Sequence, residues 1–160
     1  MIDCGFAKEN HWFRYRAGGI LIKDGKMLFV KSKIGDYYYM LGGGVGLGET
    51  SEQCVEREVL EEAGIKAKVE RLAVVCENFF KGVGGKIDGL DCHTLEFYYR
   101  MSIEENGSNG NRETDDGEML VWLPIEEIPN REIKPAFIKS HIDEIVKGEK
   151  ILHIVWEKDR

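Results

Sequence analysis

The chain contains 160 residues, of which 29 are acidic and 22 are basic, so its formal charge at pH 7 is −7. This length is sufficient for one domain with a hydrophobic core. The negative charge argues against binding to nucleic-acid polymers, because such proteins normally present a basic surface. A small phosphorylated substrate remains compatible with it, since bridging metal ions can mask carboxylates. No apolar segment resembles a signal peptide or a membrane span, so we expect a single domain over residues 1–160 without a membrane segment.

The four cysteines are Cys4, Cys54, Cys76 and Cys92. They form no C-x-x-C pair and have no histidine beside them at zinc-binding spacing. We interpret them as free thiols in a reducing compartment, and the sequence therefore predicts a cytoplasmic protein.

The first third of the chain predicts short strands joined by turns. Residues 14–22 alternate and then become apolar, which indicates a strand. An Asp-Gly turn at 23–26 leads to a returning strand at 27–31. A second turn at 34–36 precedes a short strand at 37–41.

Residues 51–63 have the signals of a helix with defined ends. Thr50 is a favourable N-cap, and Gln53 three positions later completes a capping box. Gly64 stands where a glycine in the left-handed conformation ends a helix. We therefore predict one helix with fixed boundaries. A stripe of apolar residues along it can pack on a sheet, and consists of Val55, Val59 and Ala63.

Three carboxylates share another face of this helix, because Glu58, Glu61 and Glu62 are spaced i, i+3 and i+4. Carboxylates this close repel one another unless a cation lies between them. Oxygen ligands without histidine or cysteine select Mg²⁺ or Mn²⁺ over zinc. The glycine-rich segment just before the helix allows backbone to approach a ligand closely. Together these features predict a metal face beside a phosphate-binding loop.

The stretch from Gly43 to Ile65 resembles the Nudix box, whose pattern is G-x5-E-x7-R-E-U-x-E-E-x-G-U with U aliphatic. Every fixed position is filled, by Gly43, Glu49, Arg57, Glu58, Val59, Glu61, Glu62, Gly64 and Ile65. Many members of the family have proline immediately before the paired glycines, where this chain has Gly42. The flanking strands extend the resemblance loosely over residues 14–128.

The second half of the chain predicts longer strands and one more helix. We predict strands at 67–78 and 92–103, separated by a glycine-rich loop at 79–91, and a polar loop at 104–117. A strand follows at 119–123. A helical turn at 125–128 and a helix from Pro135 to Lys147, ended by Gly148, come next. Residues 151–156 form either a last strand or an ordered tail. Composition and pattern indicate an α/β (α+β) fold with a mixed, mostly antiparallel sheet.

The resemblance implies a Nudix-type α/β/α sandwich and a Mg²⁺-dependent hydrolase of a nucleoside diphosphate linked to a group X. The group X stays open among phosphate, a sugar and a second nucleotide. The implied metal ligands are Gly43, Glu58, Glu61 and Glu62, with Mn²⁺ as a second candidate ion. Glu49 and Arg57 are implied to form a structural ion pair. The oligomeric state stays open between a monomer and a homodimer.

Hydrolysis also needs a base, for which we select Glu118, where a polar loop becomes a strand. The nearby Glu113, Asp115 and Asp116 are interpreted as solvated. The candidate substrate-binding residues are Gly43, Gly44, Phe79 and Arg14. We interpret His93 as a half-buried strand residue.

Two other classes of function compete with hydrolysis. A Nudix domain that senses a nucleotide without cleaving it is the main alternative. An interaction scaffold that uses the acidic face is the weaker rival, because it leaves the glycine loop unexplained.

Overall fold

A mixed β-sheet forms the middle layer of the fold, with helices on both of its faces. The computed structural model describes residues 1–104 and 110–159. Within that part the strands are β1 Gly5–Lys8, β2 His11–Lys23, β3 Lys26–Lys31, β4 Tyr38–Tyr39, β5 Gly42–Gly44, β6 Ala67–Lys81, β7 Asp91–Ile103, β8 Met119–Pro124, β9 Ile133–Lys134 and β10 Leu152–Asp159. The α-helices are α1 Ser51–Ala63, α2 Phe137–Ser140 and α3 Ile142–Lys147, with 3₁₀ turns at Gly85–Ile87 and Ile125–Asn130. No helix in the described part of the chain is both long and apolar enough to cross a membrane.

The strand order is β10-β6-β7-β2-β3-β4-β9, with β1 and β5 also paired to β2 and β8 paired to β3. The pairs β10–β6, β2–β7 and β4–β9 are parallel. The other six pairs are antiparallel. The predicted α+β sandwich with a mixed, mostly antiparallel sheet is therefore confirmed.

Strand β2 separates two hydrophobic cores, because successive side chains of a strand point to opposite faces. Ile20 belongs to the core under α2 and α3, whereas Leu21 belongs to the core under α1. The α1 core includes the predicted apolar stripe of that helix, Val55, Val59 and Ala63, each fully buried. Burial of both sheet faces is what makes the architecture a sandwich.

The ends of α1 form as the sequence predicts. The Thr50 hydroxyl accepts a hydrogen bond from the Gln53 amide (3.1 Å), and the Gln53 side chain accepts one from the Thr50 amide (3.0 Å). Gly64 adopts φ +65° and donates its N–H to the Leu60 carbonyl (3.0 Å). Local capping chemistry thus fixes where the helix begins and ends.

Strand β6 is longer than predicted, which shortens the loop after it. The register with β7 continues as far as the pair Lys81 and Asp91, so Phe79 and Phe80 are strand residues. The prediction of a loop from residue 79 was wrong, because cross-strand pairing with β7 is invisible to local sequence patterns. The connection is reduced to residues 82–90.

The N-terminus contains a hairpin that the sequence analysis did not predict. Strand β1 pairs antiparallel with β2, which begins at His11 rather than at residue 14. The predicted strand at 37–41 is shortened to β4, and the glycines of β5, which follows it, pair with β2. The segment expected to be a glycine loop is therefore partly strand.

The predicted helix from Pro135 to Lys147 is interrupted at His141, whose φ of −118° lies outside the helical range. The chain forms the short helices α2 and α3 instead. Residues 152–159 form a strand parallel to β6, which decides between the two alternatives for this segment. Gly148 follows α3 with φ −74°, so it does not cap it in the left-handed conformation.

The polar segment at 104–117 is described in part, since residues 105–109 lie outside the described residues. From residue 110 onward, backbone hydrogen bonds hold this segment in place. Asn111 donates its N–H to the Ala63 carbonyl (2.7 Å), and Thr114 donates to the Glu118 carbonyl (2.8 Å). The start of β8 is therefore held near the end of α1.

The C-terminal helices depend on one aromatic residue. Phe137 is fully buried, and its ring lies 6.0 Å from that of Tyr98 and 6.2 Å from that of Trp156. We expect Phe137→Ala to lower the free energy of unfolding by about 3–5 kcal/mol, because it leaves a cavity between three elements. Urea titration measures this.

The matched control is Ile151→Ala, since Ile151 is 57% exposed. It should change stability by less than about 0.5 kcal/mol. Equal losses in the two variants would contradict the account of this core.

Candidate functional site

Arg57 connects the loop before α1 to the carboxylates on that helix. Its Nε and Nη2 donate to the two carboxylate oxygens of Glu49, at 2.8 and 3.0 Å. Its Nη1 donates to Glu58 (2.7 Å) and to Glu61 (3.0 Å). The side chains of Arg57 and Glu49 are only 25% and 12% exposed. The expected ion pair between loop and helix is therefore present and partly shielded from solvent.

These contacts lower the pKa of Glu49, the carboxylate in the loop before α1. The hydrogen bond from Arg57 holds the pKa of Glu49 below its usual value, assisted by the N–H of Gly46, which donates to Glu49 (3.0 Å). A carboxylate with a lowered pKa contributes stability above its unfolded pKa and loses it as the pH falls. The loop is accordingly most firmly attached at neutral pH.

Two helix carboxylates lie against the glycine backbone of β5. A Cβ on Gly43 would lie 2.3 Å from the carboxyl carbon of Glu58, so a larger residue there would displace the Glu58 carboxylate. Glu62 accepts a long hydrogen bond from the Gly42 amide (3.4 Å). Burial, and then the charge of Glu58, raise the pKa of Glu62 to about 7. Glu58 and Glu62 thus form an anionic pair beside peptide groups.

The donors fit a hard divalent cation. Glu58, Glu62 and the backbone of Gly43 offer oxygen ligands, and the pKa of Glu62 is raised by burial and then by the charge of Glu58, both of which a cation would offset. Among the described residues no three acidic, histidine or cysteine side chains converge as they would around a bound ion. Arg57 holds Glu58 and Glu61, and Glu61 is 55% exposed. A metal bound through Glu58 and Glu61 would therefore compete with Arg57 for their oxygens.

A cleft of about 690 Å³ opens beside this pair, on the sheet face opposite to α1. Strands β6, β7 and β2 form its floor, and the register places their cleft-facing residues in rows across the sheet. Successive rows are about 7 Å apart, since side chains on one face recur every second residue. The inner row contains Glu96 and Arg16. The middle row contains Asn78, Thr94 and Arg14, and the outer row contains Phe80, Cys92 and Trp12.

The inner end of the cleft is adjacent to the box. The guanidinium of Arg16 donates to the carbonyls of Met40 (2.8 Å) and Gly42 (3.2 Å). Glu62 and Glu118 both line the cleft. The Tyr39 hydroxyl donates to Glu118, and the Lys33 amide donates to the other carboxylate oxygen of Glu118 at 3.2 Å. The selected carboxylate outside the box is therefore fixed in the cleft.

The three acidic residues near Glu118 have a different environment. Glu113, Asp115 and Asp116 are all exposed. Their surroundings agree with the interpretation that they are solvated. Residue Glu118 is distinguished by its contacts with Tyr39 and Lys33.

A buried polar cluster on the floor was missed by the sequence analysis. Glu96 is only 4% exposed, and it accepts hydrogen bonds from Thr94 (2.5 Å), Asn78 (3.2 Å) and Tyr98. Along β7 these residues alternate with apolar ones, so the sequence alone suggests the solvent-facing side of an ordinary strand. A charged residue inside a long strand was the one available signal.

The candidate substrate-binding residues Arg14 and Phe79 lie on opposite faces of the sheet. Arg14 lines the cleft, and its guanidinium lies against Gly44 and binds Asp3 at 3.1 Å. Phe79 does not line the cleft. Its ring lies on the other face and stacks on His93, with ring centroids 4.2 Å apart. The neighbouring Phe80 faces the cleft instead, because the side chains of a strand alternate.

A family model described as NUDIX domain matches residues 12–144. The chain is 36% identical to a MutT-like protein of Streptomyces ambofaciens over 67 residues, which cover 42% of this chain and 44% of that protein. It is 42% identical to an ADP-ribose pyrophosphatase of Methanocaldococcus jannaschii over 57 residues, which cover 34% of each. The chain therefore spans less than half the length of these curated relatives.

The fold is also similar to that of a mutator MutT protein from Bacillus halodurans. The TM-score is 0.66 at 16% identity, and the match covers 92% of this chain and 93% of that chain. At this level of identity the likeness shows the fold alone.

We expect Arg57→Ala to lower the free energy of unfolding by about 2–3 kcal/mol, because it removes hydrogen bonds to partly buried carboxylates. Arg57→Lys should recover only part of the loss, since an ammonium cannot make the two-pronged contact with Glu49. Urea titration at pH 7 measures both. Full stability of Arg57→Ala would contradict the structural role.

We expect Glu62→Gln to stabilise the metal-free protein at pH 8 by about 1–2 kcal/mol, because it removes a buried charge next to Glu58. The same variant should lose most of the stabilisation that Mg²⁺ or Mn²⁺ gives to the parent. Thermal unfolding with and without each ion measures both effects.

The matched control is Glu52→Gln, an exposed glutamate at the start of the same helix. It should respond to added metal ions as the parent does. An equal response of Glu62→Gln and the parent would remove Glu62 from the metal site.

Proposed function

We propose that this chain, which belongs to the NUDIX family, is a Mg²⁺-dependent pyrophosphohydrolase of a nucleoside diphosphate linked to X. X is phosphate, a sugar or a second nucleotide. The observation that carries the proposal is the position of Glu62, with Glu58 beside it, at the inner end of a cleft with aromatic residues at its outer end. Phosphates near the glutamates and a base near Trp12 and Phe80 suit this distribution of charge and apolar surface.

The reaction exchanges one phosphorus–oxygen bond for another. The oxygen of a water molecule bonds to one phosphorus, the bond to the bridging oxygen breaks, and that oxygen leaves with the other phosphate. A divalent ion bound through Glu58, Glu61, Glu62 and the Gly43 carbonyl would neutralise phosphate charge and make the water more acidic. Nudix hydrolases generally use divalent metals, and the preference for Mg²⁺ rests on the all-oxygen donor set.

Glu118 is the proposed acceptor of the water proton. Its carboxylate lines the same cleft as Glu62, and Tyr39 and the Lys33 amide hold it from two sides. A base with a fixed position meets the geometric requirement for proton transfer. Tyr39 acts as a positioning residue in this proposal, since it acts through Glu118.

A nucleotide-sensing domain is the alternative, favoured by one observation. The same nitrogen of Arg57 contacts Glu58 and Glu61, so Arg57 competes with any ion that these two carboxylates would share. Incubation with Mg²⁺ and nucleoside triphosphates, NDP-sugars, ADP-ribose and dinucleoside polyphosphates, followed by product chromatography, separates the two. The hydrolase proposal expects metal-dependent products from at least one compound. Binding without products would support the sensor.

The proposed location is the cytoplasm. The four cysteines are free thiols, as a reducing compartment would keep them, and Cys54, Cys76 and Cys92 are buried.

We expect Glu118→Gln to lower kcat at least tenfold with KM little changed, because the base acts in the transition state. The amide keeps the shape of the side chain, so the fold should survive. Steady-state kinetics on the best substrate of the panel measures this effect.

The matched control is Glu113→Gln, an exposed carboxylate five residues earlier. It should keep the parent kcat. A parent-like kcat in Glu118→Gln together with a large loss in Glu113→Gln would show that the wrong carboxylate was selected.

A further inference from the structure

The middle row of the cleft floor contains a polar atom that lacks a partner. Asn78 is only 7% exposed, yet it lines the cleft. Its Oδ1 is buried and accepts no hydrogen bond from any residue that the structure describes. Buried polar groups in folded proteins nearly always have partners. An acceptor left unmatched at the wall of a cleft indicates that a ligand supplies the missing donor.

The orientation of this amide is fixed by the cluster beneath it. Its Nδ2 donates to Glu96, and the same carboxylate accepts from Thr94 and Tyr98. A carboxylate can only accept from these groups, so the NH₂ half of the Asn78 amide must face Glu96. The carbonyl half is therefore the part left for a ligand. Thr94 and Tyr98 hold the acceptor in place through Glu96.

A donor completes the row on its other side. The Nε of Arg14 is also buried without a partner in the described part of the chain, while its Nη2 binds Asp3. In the sheet register, Arg14 and Asn78 flank the same residue, Thr94. The row thus offers one acceptor and one donor, on residues whose backbones lie about 10 Å apart across two strand spacings, with the Arg14 guanidinium packed against Gly44.

The position of the row identifies the part of the ligand that it meets. It lies about 7 Å from the inner row, where Arg16 approaches Glu62, and about 7 Å from the outer row of Phe80 and Trp12. In a nucleotide the sugar lies between phosphates and base. Sugar hydroxyls both donate and accept hydrogen bonds, which matches one acceptor and one donor.

We propose that the middle row is a ribose subsite, in which Asn78 Oδ1 accepts a hydrogen bond from a sugar hydroxyl and Arg14 Nε donates to the sugar. The substrate class is therefore a ribonucleoside diphosphate derivative rather than one that lacks the ribose diol. This inference rests on the proposed function for the direction in which the nucleotide lies. Sites that hydrogen-bond a hydroxyl reject analogues lacking it, because the buried polar groups are then unpaired.

The test compares binding of two nucleotide forms by isothermal titration calorimetry with Mg²⁺ present. The probes are α,β-methylene nucleoside diphosphates of the four common RNA bases, each with ribose and with 2′,3′-dideoxyribose. The methylene bridge prevents cleavage, so the measurement does not depend on catalysis. For at least one base, the parent protein should bind the ribose form about tenfold or more tightly than the dideoxy form.

Asn78→Ala should reduce this ratio to about two or less by weakening ribose binding. Asn78→Ser is a second variant in case the alanine variant does not fold. The ratio of ribose to dideoxyribose binding in the parent protein tests the subsite without any variant. The matched control is Glu77→Ala, the adjacent strand residue, whose side chain contacts His153 instead of the cleft. It should keep the parent ratio.

A parent ratio near one would overturn the ribose subsite and leave the hydrolase proposal standing. An unchanged ratio in folded Asn78 variants would overturn the role of Asn78. The expected ratios in a protein that cleaves no compound of the substrate panel would support the subsite and overturn the hydrolase proposal. Failure of every probe to bind the parent would overturn the subsite.

Discussion

The contact between Arg57 and Glu49 is the constraint on which the rest of the site depends. It joins the loop that follows β5 to the middle of α1, and the same guanidinium holds Glu58 and Glu61. A carboxylate pair such as Glu58 and Glu62 is unfavourable near a buried backbone. The Arg57 charge offsets part of that repulsion while no cation is bound. A single residue therefore fixes the loop and keeps the acidic face compatible with folding.

The sheet provides the cleft that lies beside the acidic face of α1. Alternation along β2, β6 and β7 sends one set of side chains into the α1 core and the other set into the cleft. The acidic helix face meets this cleft at Gly42, where glycine backbone replaces side-chain bulk. Phosphate chemistry and base recognition can then share one concave surface, although their residues come from distant parts of the sequence. Loops at the rim remain free to vary around a rigid floor.

Local patterns predicted the features that depend on local interactions. The caps of α1 and the Asp-Gly hairpin follow from residues close in sequence, whereas the Arg57–Glu49 pair was implied by the family resemblance. The faces of the sheet to which Phe79 and Phe80 point were not predicted, because they depend on the register of β6 against β7. The Glu96 cluster depends on register only in part: Thr94 and Tyr98 contact Glu96 along β7, whereas Asn78 reaches it from the paired strand β6. The break at His141 was not predicted either, because the residues around it carry no glycine or proline that would mark a helix end.

The most direct test of the account is anomalous diffraction from crystals grown with Mn²⁺ and an uncleavable nucleoside diphosphate. The account predicts manganese density between the nucleotide phosphates and Glu58 and Glu62, with the base between Phe80 and Trp12. It also predicts that Glu58 has left Arg57 while Glu49 has kept it. Manganese bound only at exposed carboxylates, or a nucleotide outside the cleft, would contradict the central claim that box and cleft form one site.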